Sequence, residues 1–216
     1  MNKPSWRIMA AGLILTILIS NMSSFISDGI KLEELRGSVL RLHILANSDS
    51  AEDQRLKLMV RDELLGSGMF SSAADLSEAE RIAEEKLPEI VQTAEKVLRR
   101  NGCCDNVTAE LADVDFDERV YGDITMPAGR YRALRIKIGT ANGHNWWCVM
   151  YPPLCLPAAC EMTEIAEDKD SEEKTVTDDK EAEEECFDEK ELDILKKPKK
   201  YKLKFALWDK IKSVFD

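Results

Sequence analysis

From Ile8 to Ser27 the chain carries no charged side chain, and Ile8–Ile19 is an almost unbroken apolar run. That uncharged stretch is about as long as a helix needs to cross a bilayer. Lys3 and Arg7 stand before the run and the polar Ser20–Ser24 stretch follows it. A basic start, a short apolar middle and a polar exit form an export-signal pattern. A helix buried in a soluble core would need one side able to meet water, and Met9–Leu18 has no polar face. The segment therefore directs the chain across a membrane, with the two early positive charges left in the cytoplasm and the residues beyond about 28 outside. Met22, Phe25 and Ile26 interrupt the serines where a small-x-small cleavage site would stand. Residues 1–27 are thus either a cleaved signal peptide or a retained anchor.

Charge is distributed unevenly. Residues 161–190 hold 15 Asp/Glu and four Lys; taking these from the totals of 41 acids and 30 bases leaves 26 of each elsewhere. The net charge of -11 therefore belongs to one segment and not to a globular surface. With no basic excess to neutralise phosphates, the body of the protein is not built for nucleic acid. The acidic stretch has too little apolar content to offset its ordering entropy, so residues 161–195 are expected to be a disordered linker.

Between these segments the pattern is that of a folded domain over residues 37–160. Val39–Leu45 alternates as a strand, with Leu40, Leu42 and Ile44 on one face and Val39, Arg41 and His43 on the other. A turn at Asn47–Ser50 leads to a helix that opens at Ser50 with Asp53 three residues on and runs to about Leu65. Leu56, Val60 and Leu64 should face the core, with Asp53, Lys57 and Arg61 as an opposite stripe. A second helix is expected from Ser77, with Glu80 closing a capping box and Asn101-Gly102 ending it. Pro88 should kink it or split it in two. Val107–Val114, Tyr131–Ile138 and Trp146–Tyr151 read as further strands. The order β-α-α-β-β-β predicts an α+β fold, helices packed on a mainly antiparallel sheet.

After the linker, residues 196–216 form a basic amphipathic segment in which Phe205, Trp208, Ile211 and Phe215 recur at roughly helical spacing among lysines. Two placements suit it: docking onto the domain, or lying on an anionic membrane surface.

Little here resembles a reaction centre. There is no Gly-rich phosphate loop, no serine elbow and no ligand spacing for a metal, and no cofactor is called for. Six cysteines suit an oxidising exterior. Cys148 and Cys155 bracket Tyr151-Pro152-Pro153, whose prolines fold the chain back and allow a disulfide; two buried thiols are the alternative. An exported cell-envelope hydrolase using His43 or His144 is the competing class of function; His144 lies four residues before Cys148, but a Cys-His pair needs a geometry that sequence does not show, and an oxidised Cys148 is no nucleophile.

Two stretches carry more specific residues than packing requires. One runs from Arg41-Leu42-His43-Ile44-Leu45-Ala46-Asn47-Ser48-Asp49-Ser50 into Asp53–Asp62. The other is Tyr131–Gly139 followed by Gly143-His144-Asn145-Trp146-Trp147-Cys148 and Pro152-Pro153-Leu154-Cys155. Together they resemble stage II sporulation protein R of endospore-forming bacteria, over about residues 1–160, and Lys204–Trp208 is similar to that family's C-terminal element. The acidic stretch resembles a variable insertion. The resemblance implies a protein made in the forespore and exported into the space between the two membranes. There it would trigger a membrane-embedded aspartic protease of the mother cell that removes the pro-sequence of sigma factor E. On that view the chain is a ligand and not an enzyme. His43, Asn47, Asp49, Lys57, Arg61 and Asn145 are then candidate receptor contacts, each with a local alternative as turn former, cap or packed side chain.

Overall fold

The architecture was determined as a computed structural model, which describes residues 6–68, 73–121, 124–152 and 187–215. The chain opens with one helix, α1 (Trp6–Gly37). Its apolar part, from Met9 through Ile19, is exposed on every side, whereas Leu32 and Leu35 near its end are fully covered. Met9–Gly37 is long and apolar enough to cross a membrane, which is compatible with a signal or an anchor. Lys3 lies outside the described residues. The helix does not stop at residue 27 but continues unbroken into the domain.

Four strands form one sheet in the order β2-β5-β1-β6: β1 (Leu40–Leu45), β2 (Val107–Phe116), β5 (Gly129–Ile138) and β6 (Asn145–Tyr151). The β1–β5 pair is parallel, with Leu42 opposite Leu134, and the other two pairs are antiparallel. The α+β reading with a mainly antiparallel sheet holds. A short hairpin of β3 (Arg119–Tyr121) and β4 (Ile124–Met126) interrupts the β2–β5 connection. Three-residue strands are too brief to leave a period in the sequence, and this hairpin was not expected.

On one face of the sheet pack α2 (Ala51–Gly66), α3 (Leu76–Glu85) and α4 (Leu87–Arg100). Leu42, Ile44, Leu134 and Ile136 meet Leu56, Val60, Ile90 and Leu98 there in a single core. Ser50 caps α2 by accepting from the Asp53 N–H, as expected. The next cap differs: Asp75, not Ser77, accepts the Glu78 N–H, and α3 begins two residues earlier than the capping-box spacing suggested. Pro88 does split the stretch in two, standing in the first turn of α4, where its missing N–H costs nothing.

The opposite face is covered as well, by a second core. Leu32, Leu35 and Val39 meet Phe116, Tyr131 and Val149 of the sheet, together with Phe187, Ile194, Leu195, Tyr201 and Phe205. Ile194 and Leu195 come from α5 (Glu189–Lys196), Tyr201 and Phe205 from α6 (Pro198–Phe215), and Phe187 stands just before α5. The expected linker therefore ends earlier than residue 195. Asp188 and Glu191 form a true capping box, and the burial of Ile194 and Leu195 holds α5 in place. Its residues up to 186 lie outside the described residues. With cover on both faces, every residue of the central strand β1 is buried, the condition usual for strands inside a two-sided layer.

The C-terminal segment docks rather than standing free, and charged pairs fix it to the end of α1. Asp28 takes Lys204 at 2.7 Å and Lys190 at 3.3 Å, Lys212 takes Glu33 at 2.6 Å, and Arg36 holds Asp209 through both guanidinium ends at 2.7 and 3.0 Å. Arg36 also donates to the Ala128 carbonyl in the turn before β5.

Candidate partner-binding site

The sequence singled out a loop after β1 and a loop before β6, and the fold brings them together at one end of the sheet. Because β1 and β5 are parallel neighbours, the turn leaving each emerges on the same edge. The two turns interlock. Asn47 Oδ1 accepts from the Thr140 N–H at 2.9 Å and from Thr140 Oγ1 at 3.1 Å. Its amide donates to Asp53 Oδ2 at 3.1 Å, and Ser48 Oγ donates to the same oxygen. Backbone bonds from Asn142 N to Asn47 O and from Gly143 N to Ala46 O complete the clasp.

Two glycines make this approach possible. Gly139 has φ +57, and a Cβ there would overlap the Asn47 side chain. At Gly143 a Cβ would overlap the carbonyl of Ser48. Here glycine is required for close passage of two backbones. Residues Asn47 and Asp53 are therefore the inner side of a joint, and the glycines are its hinge plates.

On the outer side lie Asp49, His144 and Asn145. Asp49 Oδ1 accepts from the His144 backbone N–H and from ring Nδ1, both at 2.5 Å. The backbone N–H first, then the ring, hold the Asp49 carboxyl below its ordinary value. His144 is 81% exposed at its side chain and Asn145 is also exposed. Lys57 reaches under this loop: its Nζ donates to the His144 carbonyl at 3.0 Å and to Gln54 Oε1 at 2.6 Å. Burial, then the nearby Arg61 charge, push the Lys57 ammonium below its ordinary value. Arg61, one turn further, stands with its guanidinium carbon 5.0 Å from the Trp146 ring centroid and pairs with Asp62 at 2.6 Å.

Lys57 and Arg61 thus do not form the solvent stripe expected of them; both are buried. The 53/57/61 row sits one residue, about 100°, from the core row 56/60/64, so it faces the sheet's end and not the far side of the helix. Five of the six proposed contacts (Asn47, Asp49, Lys57, Arg61 and Asn145) lie around one edge.

His43 lies elsewhere. It alternates with Leu42 and Ile44 along β1, so it projects to the second face, away from α2. The ring is buried, stacks on Trp147 at 6.1 Å between centroids and meets Phe116 edge-on at 5.5 Å. Neither ring nitrogen has a hydrogen-bond partner among the described residues. Burial first, then the Arg135, Arg41 and Lys137 charges, lower its pKa to about 4. Next to it Arg41 is fully buried, its guanidinium carbon 4.0 Å from the Phe116 ring centroid and 5.0 Å from that of Tyr131. Sequence alternation placed Arg41 on a strand face without showing that the face was covered. The two histidines of the hydrolase alternative stand on different parts of the domain, one inside an aromatic cluster and one on a surface loop.

Cys148 is disulfide-bonded, and the Cys155 expected as its partner lies outside the described residues. Cys103 and Cys104 are free. Among the described residues no group of His, Cys, Asp and Glu is arranged to hold a metal.

Residues 36–161 match the family described as Stage II sporulation protein R. A protein of that name from Bacillus subtilis (strain 168) is 36% identical to this chain over 135 residues. The alignment takes in 62% of this chain and 60% of that protein, so the chain spans less than two thirds of the relative's length. No solved structure matches at a significant level. The matched region begins at Arg36 and contains both interlocking loops.

Proposed function

Because this chain belongs to the stage II sporulation protein R family, we propose that it serves sporulation as an exported signal, activating a membrane-embedded aspartic protease of the mother cell. The protease is the enzyme, and its product is the processed sigma factor E. The chain acts from the space between forespore and mother cell, delivered there by α1. The observation that carries this reading is the extent of the family match, residues 36–161, which contains the whole sheet with the helices on its first face and both loops.

The receptor surface is the clasped edge. Asp49 and Asn145 form its exposed rim, while Asn47, Lys57 and Arg61 hold the rim in one conformation from beneath. Such bracing suits a ligand, since a loop fixed before binding loses little conformational entropy on contact. The hot-spot preference for aromatic side chains points to half-buried Trp146, packed against Arg61, as the anchor at its side. His43 supports this edge only through the sheet.

Copurification tests the surface. The full chain is coexpressed with the detergent-solubilised protease, as wild type, as Asn145→Arg and as Val120→Arg on the distant β3–β4 hairpin. The proposal expects the wild type and the hairpin variant to retain the protease and Asn145→Arg to lose it. Failure of the wild type to retain it, or equal retention by Asn145→Arg, overturns the assignment.

A further inference from the structure

Docking of α6 leaves a second face of that helix unaccounted for. Tyr201 and Phe205 face the second core, and Trp208 packs against α1. At 3.6 residues per turn, Leu203, Leu207 and Ile211 fall in one line on the other side. They are 86%, 53% and 41% exposed. Isolated apolar groups on a surface are ordinary; three in line on one helix, with Lys199 and Lys210 exposed beside them, are not. The helix carries six lysines and one acid, and that acid, Asp209, is engaged by Arg36.

We propose that this outer face of α6 lies on an anionic lipid surface, at the point where α1 leaves the domain. Position supports it. Phe25 of α1 meets the Trp208 ring edge-on at 5.8 Å between centroids. Phe25 belongs to the uncharged stretch, and Asp28, bound by Lys204, is the first charge after it. The hydrocarbon boundary on α1 therefore falls at the level where α6 crosses it, and α6 is held among the headgroups. Ile26 and Ile30, on the same stretch of α1, are exposed apolar side chains as well. An amphipathic helix with leucines inward and lysines at headgroup level is the arrangement that binds such interfaces. A second copy of this chain is the other occupant to consider. Two such faces would bring lysines against lysines in an isologous contact, and charge disfavours it.

The test uses the full chain, reconstituted through α1 into phosphatidylcholine vesicles with and without phosphatidylglycerol. A benzoylphenylalanine photocrosslinker replaces Leu207 in one sample and exposed Val120 in another. The expected result is lipid adducts at 207 in the phosphatidylglycerol vesicles and none at 120. Their yield should fall several-fold in phosphatidylcholine alone and in a Lys199→Glu, Lys210→Glu variant. Adducts joining two copies of the chain, absence of lipid adducts at 207, equal adducts at both positions, or yields indifferent to lipid charge would each overturn the proposal.

Discussion

Replacing Asn47 by Asp keeps the side chain's shape and reverses one of its contacts. Oδ1 still accepts from Thr140, but the amide that donates to Asp53 across 3.1 Å becomes an oxygen facing a carboxylate. The lost hydrogen bond is worth about 1 kcal/mol. Two partly solvated carboxylates at that separation repel by roughly 1–3 kcal/mol. The domain should therefore lose about 2–4 kcal/mol at neutral pH, which for a chain of this size lowers Tm by roughly 5–15 °C. The pH dependence is diagnostic. In the wild type the Ser48 hydroxyl first, then the Asn47 amide, hold the Asp53 carboxyl below its ordinary value. That stabilisation is present above the ordinary carboxylate range and lost as pH falls through the lowered value. In Asn47→Asp the repulsion raises the folded-state pKa of one carboxyl, so the folded state retains a proton that the unfolded chain releases. The variant's deficit then grows as pH rises through that raised value. It shrinks toward pH 4, where one protonated carboxyl again donates across the gap. Asn47→Ala has no such pair, and its deficit relative to wild type should change far less with pH. Urea unfolding of the full chain in detergent, followed by tryptophan fluorescence at pH 7 and pH 4.5, measures both. A deficit for Asn47→Asp that is equal at the two pH values would refute the placement of Asn47 against Asp53.

Further outcomes follow from other parts of the structure. Gly143→Ala drives a methyl group into the Ser48 carbonyl and should cost about 1–3 kcal/mol; denaturation midpoints unchanged from wild type would contradict the clasp. His43, with a pKa lowered to about 4, binds a proton in the unfolded chain more readily than in the folded one. Stability should therefore fall as pH drops from about 6.5 toward 4, by at most about 3 kcal/mol. His43→Phe should flatten that slope in a pH series of thermal melts, and an unchanged slope would assign it to other groups. Arg36→Ala removes the pair that ties Asp209 and the Ala128 carbonyl to α1. Since Asp209 is partly exposed, about 1–3 kcal/mol of docking is lost, seen as faster trypsin cleavage among the lysines of α6; cleavage at the wild-type rate would deny the tether that role.

How much of this was legible in the sequence depended on how local each cause was. Caps, breaks and strand periods act within a few residues, so α2, the split at Pro88 and the four sheet strands could be read directly. The Asp75 cap was missed because Ser77 with Glu80 offers the same motif two residues on. The continuous α1 was missed because the change from membrane-like composition to Lys31-Leu32-Glu33-Glu34-Leu35 looks like a boundary, although a helix crosses it readily. The second core depends on residues 187–205 returning to the sheet, a pairing of distant segments that no period announces. For the same reason Arg41 and His43 were on a strand face whose cover sequence could not show. At the site, the motif residues were found but not their roles. Gly139 and Gly143 held the signal, since glycines four apart beside a strand end mark a close backbone approach, yet what approached them, Asn47 and Ser48, was 92 and 95 residues away in sequence.

One end of the domain is closed by interlocked loops and the other is fastened to a membrane-length helix. The clasp closes the edge formed by the β1–α2 and β5–β6 loops, and the ion pairs of Asp28, Glu33 and Arg36 lock α6 to the end of α1. Those pairs hold the domain and α6 in one orientation relative to the end of α1.

Reconstitution in a non-sporulating host tests the central claim most directly. The chain, with and without residues 1–27, is expressed together with the sigma-factor protease and its precursor substrate, and processing is followed by immunoblot. Processed sigma factor E is expected with the exported chain, and little or none when residues 1–27 are removed and the chain stays in the cytoplasm. Unprocessed precursor beside a folded, exported chain would contradict it.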